Sequence, residues 1–462
     1  MISDNESSGG AISALAIMNS QEIISHAPLR SLTEGERIVS NKIDGVVALM
    51  GLDWATDKHD LQLLEVGSDK PEHLVLKHGA ESIEKWVGTL RERFGKGARI
   101  AVCLELSKGA IVSALEKYDM FVLFPVNPAS LAKYRQAWAP SRAKDDPSDA
   151  LLLLELLRRY PDKLKPLQRE STELRTVARL VEIRRSLVDD RVRLTNRLTA
   201  ALKSYFPQVL EWFDDKNTRV FVEFLARWPS LDEVKRARDS TLEKFFFDHN
   251  VRHSRIIETR IKAIRESIPL TKDPAVLVPE ILSVQTLVEQ LRIQSAAVRK
   301  VDAELEERST KLVDYNLFAS LPGAGPALAP RLLVAFGENR ERFQSAQAVA
   351  QHVGIAPVTE RSGQKSWVHK RNLCNKFLRQ SLVEWAGQTI PKSFWAGAYY
   401  RQQRDKGASH QVAIRALAFK WIRVLFRCWQ DRKTYDESVY LNALKRNGSP
   451  LLAFIAKDSL SA

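Results

Sequence analysis

A chain of 462 residues, 44% apolar and 27% charged, exceeds one ordinary core; at about 100 to 200 residues per domain it calls for two to four structural units. No apolar run reaches the roughly 18 to 20 residues of a membrane span, since LLLLELL is short and ends at Arg158 and Arg159, and no secretory leader pattern opens the chain. A cytoplasmic protein is expected, and Cys103, Cys374 and Cys428 are too few and too scattered for a disulfide framework or a zinc site.

The net charge of +14 points to a polyanionic partner, and it is unevenly placed. Residues 1–160 hold 19 Lys and Arg against 22 Asp and Glu, whereas residues 161–462 hold 51 against 34. One part is suited to gripping phosphates and the other to holding a cation.

Residues 1–44, with NESSGG and few large apolar side chains, read as a flexible extension. An α/β domain is expected over 45–165. GVVALMGLDW (45–54), DLQLLEVG (60–67), EHLVLKH (72–78), RIAVCLE (99–105) and MFVLFPV (120–126) read as strands, and ESIEKWVGTLRERF (81–94), SKGAIVSALEKY (107–118) and PSDALLLLELLRRY as helices. That succession fits a mixed sheet of the ribonuclease-H-like (RuvC-like) kind.

Residues 166–315 change to long helices. Over 174–206 one side carries Leu180, Ile183, Leu187, Leu194 and Leu198, while Arg179, Arg184, Arg185, Arg191, Arg193 and Arg197 line the others, a candidate nucleic-acid-binding set. Val284, Leu287, Leu291, Val298, Val301, Leu305 and Leu312 form a heptad pattern broken at Gln294 and Arg308; it predicts a coiled coil, either between these two helices or between subunits. An insertion over 210–272 reads as a small helical core with no assignable chemistry. A mostly helical domain with one functional loop is expected over 316–440, followed by a tail over 441–462.

Asp53 ends the first strand and Glu105 the fourth, and Asp146 and Asp149, at i and i+3, share a face at the start of a helix. Four acids at one pole of a sheet supply the hard oxygen ligands that Mg²⁺ prefers, and two ions about 4 Å apart would stabilise both the attacking and the leaving oxygen of a phosphoryl transfer. Considered alone, Asp146 and Asp149 read as helix-start acids beside Pro147. Combined with Asp53 and Glu105 the metal reading is stronger. Asp145 is a possible substitute for Asp146, and Asp57 and Asp60 read as solvated neighbours of Asp53.

LPGAGPALA (321–329) places Gly323 and Gly325 in a tight turn that would offer backbone N–H groups to a phosphate, or would simply join two helices. GIAPVTERSGQKSW (354–367) sets Ser362 before Gly363 in a polar loop flanked by Arg361 and Lys365. From the residues alone this is an ordinary turn, since a serine nucleophile needs an activating base or metal and no triad spacing accompanies it.

GLDWATDKHD, VCLELSKG and AKDDPSDA, followed by LPGAGPALA, GIAPVTERSG and KFLRQSLVEWA, resemble the IS-one-ten family of insertion-sequence transposases, relatives of the Piv-type DNA invertases, over about residues 46–435. The resemblance implies a RuvC-like domain binding Mg²⁺ through Asp53, Glu105, Asp146 and Asp149, and a C-terminal domain whose Ser362 attacks the DNA backbone to form a phosphoserine link. It also implies guidance by a bridge RNA that pairs with donor and target DNA, and a homo-oligomer, dimer assembling to tetramer, in which one subunit's acids meet another's serine. Two rival expectations stand beside it: a metal-dependent nuclease or junction resolvase that activates water with the same acids, and a non-catalytic coiled-coil nucleic-acid binder.

Overall fold

Alternate residues of the first strand, β1 (Ala48–Asp53), serve two different cores, which makes it the middle of a three-layer unit. Ala48, Met50 and Leu52 face one layer and Leu49 the other. The computed structural model describes residue 43, residues 45–138 and residues 146–459; most of the expected extension over 1–44, and Asp145, lie outside them. The chain divides into two units, up to Arg169 and from Glu170 onward.

In the first unit β1 is followed by β2 (Lys58–Glu65), β3 (Glu72–Lys77), β4 (Ile100–Leu104) and β5 (Phe121–Pro125), in the sheet order β3-β2-β1-β4-β5. The β1–β2 and β2–β3 pairs are antiparallel, whereas β4 runs parallel to both β1 and β5. Helices α1 (Ala80–Phe94) and α2 (Ala110–Leu115) cover one face through Ile83, Val87, Leu90, Ile111, Val112 and Leu115. Helices α3 (Pro128–Trp138) and α4 (Asp146–Arg159) cover the other through Leu131, Leu153, Leu154 and Leu157. The N-terminal α/β layer expected from the sequence is therefore a mixed sheet. Helix α3 has no counterpart among the predicted elements, because among its described side chains only Leu131 is fully buried and no strong apolar stripe announces it.

Among the described residues the second unit is helical apart from one hairpin. Helix α5 (Thr172–Tyr205), capped by the Ser171 hydroxyl, packs along α11 (Pro274–Ser309). The heptad residues Val284, Leu287, Leu291, Val298 and Leu305 are buried. The polar seam residue Gln294 donates to the Leu187 carbonyl oxygen at 2.8 Å, which explains how an amide is tolerated there. Between them lie α6 (Val209–Trp212), α7 (Arg219–Arg227), α8 (Leu231–Arg236), α9 (Asp239–Asp248) and α10 (Ser254–Glu266). Their aromatic cluster, with Trp212, Phe224, Trp228 and Phe246, is continuous with Leu198, Leu202 and Tyr205 of α5 and with Val284, Leu287 and Leu291 of α11. The insertion thus has no core separate from the long helices that carry it.

Helices α12 (Tyr315–Ala319), α13 (Gly325–Phe336), α14 (Ala346–His352), α15 (Lys376–Thr389), α16 (Phe394–Asp405), α17 (His410–Asp431), α18 (Glu437–Arg446) and α19 (Leu451–Ser459) complete the unit. Their core is built on Trp385, Trp395, Trp421 and Trp429, all fully buried, and Leu444 and Leu451 of the expected tail pack into it. The segment read as a functional loop is a two-stranded antiparallel ribbon, β6 (Val358–Ser362) and β7 (Lys365–His369). Only Val358 along it is even partly buried, so no apolar alternation marked these strands in the sequence.

Candidate active site

The parallel register pairs Leu52 of β1 with Leu104 of β4, so Asp53 and the residue that follows β4, Glu105, lie side by side at the C-terminal ends of two adjacent inner strands. Both are half-buried. The next requirement is that α4 lie close to β1, and Gly51 makes that possible. A Cβ on Gly51 would sit 2.0 Å from the Ala150 carbonyl oxygen and 2.5 Å from the Leu154 amide nitrogen, so only a residue without a side chain lets the two backbones touch.

Asp149, next to Ala150, is 2% exposed. Its carboxylate accepts two hydrogen bonds from one guanidinium, Arg135 Nε to Oδ1 and Arg135 Nη2 to Oδ2, both at 2.7 Å. This two-pronged grip pairs the buried carboxylate with a cation. Asp149 is therefore more than a dipole-favoured acid at a helix start. Asp146 is the first residue of α4, three positions before Asp149; its side chain and Asp145 lie outside what is described.

Sequence reasoning missed Arg135 because it missed α3. The available signal was Asn127 followed by Pro128: the Asn127 side chain accepts from the Ala129 N–H at 2.8 Å, an N-terminal cap with proline just inside the helix. One expectation is corrected. Asp60 is not a solvated neighbour: it sits on β2 opposite Asp53, is 5% exposed, and its Oδ1 lies 2.8 Å from His73 Nε2. Antiparallel pairing with β3 places His73 two residues from Asp60 across the ladder and gives the carboxylate a partner. Asp57, in the β1–β2 turn, is exposed.

The turn after Asp53 is held by His59, which is fully buried. Its Nδ1 accepts from the Ala55 N–H at 3.3 Å, which leaves Nε2 as the donor to His78 Nδ1 at 3.0 Å. Burial, and then the neighbouring His78, push the His59 pKa down. Among the described residues no three His, Cys, Asp or Glu side chains converge closely enough to hold a metal ion. The donor chemistry suits a hard cation, but Asp149 is engaged by Arg135.

In the second unit, Ser362 ends β6 directly across from Lys365, and Gly363 turns the chain with φ of 58°. Positive φ at the first position of a two-residue hairpin turn favours glycine. Ser362, Arg361 and Lys365 are all exposed. Along the ladder, Ser362 and Lys365 share a face with Glu360, Trp367 and His369. Glu360 accepts from Trp367 Nε1 at 3.0 Å, and His369 Nε2 lies 3.3 Å from the same carboxylate. These contacts brace the ribbon from within.

The two glycines of the 321–329 turn differ. A Cβ on Gly323 would meet the Gln388 carbonyl oxygen at 2.7 Å, and Trp385 Nε1 donates to the Pro322 carbonyl oxygen at 3.0 Å, so Gly323 packs the turn against α15. Gly325 opens α13 with free space around it. The arginines of α5 are largely committed within the chain: Arg179 to Glu182, Arg184 to Asp302, Arg185 to Asp189 and Glu384, Arg193 to Asp190. Among the described residues Arg191 Nε is buried without a hydrogen-bond partner, and Arg197 is exposed.

Residues 50–207 match the family model of the IS110 DEDD transposases, and residues 315–401 match that of the transposase IS116/IS110/IS902 family. The mini-circle putative transposase for IS117 of Streptomyces coelicolor is 28% identical over 405 residues, 85% of this chain and 96% of that protein. The putative transposase y4uE of Sinorhizobium fredii is 30% identical over 44% of this chain and 56% of its own length. The pilin gene-inverting protein of Moraxella bovis is 28% identical over 135 residues, 27% of this chain and 39% of its own length. The class is thus a transposase. The chain belongs to the IS110/IS116/IS902 family. No helix among the described residues is long and apolar enough to cross a membrane.

Proposed function

We propose that this transposase cuts and exchanges DNA strands of its insertion sequence through a serine–DNA covalent intermediate, with a divalent cation held by Asp53, Glu105, Asp149 and Asp146. The observation that supports this most is the register that brings Asp53 and Glu105 out of adjacent parallel strands beside the helix carrying Asp149. The order β3-β2-β1-β4-β5, with β2 antiparallel, agrees with a RuvC-like reading of this unit. When bound, Mg²⁺ supplies charge stabilisation at the non-bridging oxygens of the scissile phosphate.

The chain's own residues do the rest. Ser362 Oγ bonds to phosphorus while the bond from phosphorus to the departing deoxyribose oxygen breaks, and the serine proton ends on that oxygen. The strand end is thereby retained as a phosphoserine ester rather than released. Attack by the hydroxyl of another strand reverses the step and rejoins DNA. Lys365, opposite Ser362, and Arg361 are placed to bind the phosphate by charge. The similarity to a pilin gene-inverting protein supports strand exchange over simple cutting. A bridge RNA that pairs with donor and target DNA, held by the basic second unit, and a homo-tetramer joining acids of one subunit to the serine of another complete the proposal.

Replacing Asp53 by Asn or Glu105 by Gln is expected to abolish transposition from a donor plasmid while leaving the melting transition in place, and replacing Asp149 by Asn to abolish it with a lower melting temperature, because the half-buried Arg135 loses its charge partner. Retained transposition in all three variants would overturn the assignment of the acids. RNA copurifying with the wild-type protein and protected from nuclease is the expected sign of a guide.

A further inference from the structure

We propose that Arg135 is a built-in counter-ion that occupies the Asp149 carboxylate until a divalent cation displaces it. The inference rests on the reading of Asp149 as a metal ligand, and the two are separable by experiment. Three observations carry it.

The first is the geometry of the pair. Nε and Nη2 of one guanidinium reach the two oxygens of one carboxylate, each at 2.7 Å, with side-chain exposures of 18% for Arg135 and 3% for Asp149. A carboxylate this deep is destabilising by several kcal/mol if left unpaired. In metal-free protein, Arg135 supplies the pairing. The second is competition. A dication on either Asp149 oxygen would lie within a few ångströms of the guanidinium, and like charges at that separation in a poorly hydrated site repel strongly. The cation and the guanidinium therefore contend for one seat.

The third is the unequal anchoring of the two helices. Helix α4 is fixed to β1 by the backbone contact at Gly51 and by fully buried Leu153, Leu154 and Leu157, so Asp149 is held in place. Among the described side chains of α3 only Leu131 is fully buried, with Tyr134 meeting Tyr160 edge-on beside it, and Arg135 stands one turn beyond Leu131, near the end of the helix. The partner free to withdraw is the arginine. Release costs part of the cation's binding free energy, so apparent affinity falls by the fraction of molecules in the open state.

The test is calorimetric titration of the full-length, metal-free protein with Mn²⁺, run on wild type and on R135Q, R135K, D53N and D149N. Expected for R135Q is Mn²⁺ binding at least about tenfold tighter than wild type, with a lower melting temperature in metal-free protein that recovers as Mn²⁺ saturates. R135K, which keeps the charge without the two-pronged grip, should fall between. R135Q and R135K binding no more tightly than wild type, while D53N and D149N lose binding, would overturn the counter-ion role and leave the metal reading intact. Wild type failing to bind Mn²⁺, or D53N and D149N binding as wild type does, would overturn the metal reading and the competition with it.

Discussion

The carbonyl oxygen of Ala150 lies 2.0 Å from where Gly51 would carry a Cβ, so the helix bearing Asp149 and the strand bearing Asp53 touch backbone to backbone. The spacing of the acids is thereby set by a residue with no functional group. Gly51→Ala must push α4 off the sheet. We expect a loss of about 1 to 3 kcal/mol in urea unfolding, the usual range for overpacking, together with loss of transposition. Gly88→Ala, in the middle of α1 with nothing within 4 Å of the added methyl, should instead stabilise by about 0.4 to 1 kcal/mol. Equal effects from the two substitutions would contradict this account of the contact.

His59 predicts how the first unit responds to acid. Burial and His78 hold its folded pKa below the ordinary 6.5, so the unfolded chain takes up the proton first as pH falls. Stability from neutral His59 is fully present above pH 6.5 and declines as pH drops through and below that value. His59→Gln removes that titration, and its unfolding free energy, measured in denaturant between pH 7.5 and 5, should fall less steeply than that of wild type. Parallel slopes would show that His59 does not carry the effect.

The exposed ribbon predicts a salt signature. Arg361 and Lys365 flank Ser362 with their side chains in solvent. If each meets one phosphate, the R361Q/K365Q variant should weaken DNA binding and lower the slope of log affinity against log salt by about 2. An unchanged slope would place the DNA elsewhere.

The sheet was legible because its strands are buried on both faces and read as short apolar runs: ALMGLD, IAVCL and FVLFP needed only length and flanking turns to be found. The heptad of α11 was legible for a similar reason, since its repeat is the buried seam shared with α5, the aromatic cluster of α6–α10 and the C-terminal core. Two elements at the site were not. Among the described side chains of α3 a single one is buried completely, which left little periodicity and hid Arg135 and with it the partner of Asp149. The β6–β7 ribbon packs on nothing along most of its length, so VTERS and KSWVH carry no alternation, and Ser362 read as a residue in a turn. Asp60 was misjudged because polarity alone does not show that a cross-strand histidine will cover a carboxylate.

The central claim is a covalent bond between Ser362 Oγ and DNA. Incubating the full-length protein, Mg²⁺ and any required guide with a donor DNA nicked beside the cleavage site, so that rejoining cannot occur, should trap a protein–DNA adduct. Digestion and mass spectrometry should place the nucleotide on the peptide containing Ser362, and Ser362→Ala should give none. An adduct that persists in Ser362→Ala, or strand cleavage that proceeds in that variant with a free phosphate end and no adduct, would contradict the account.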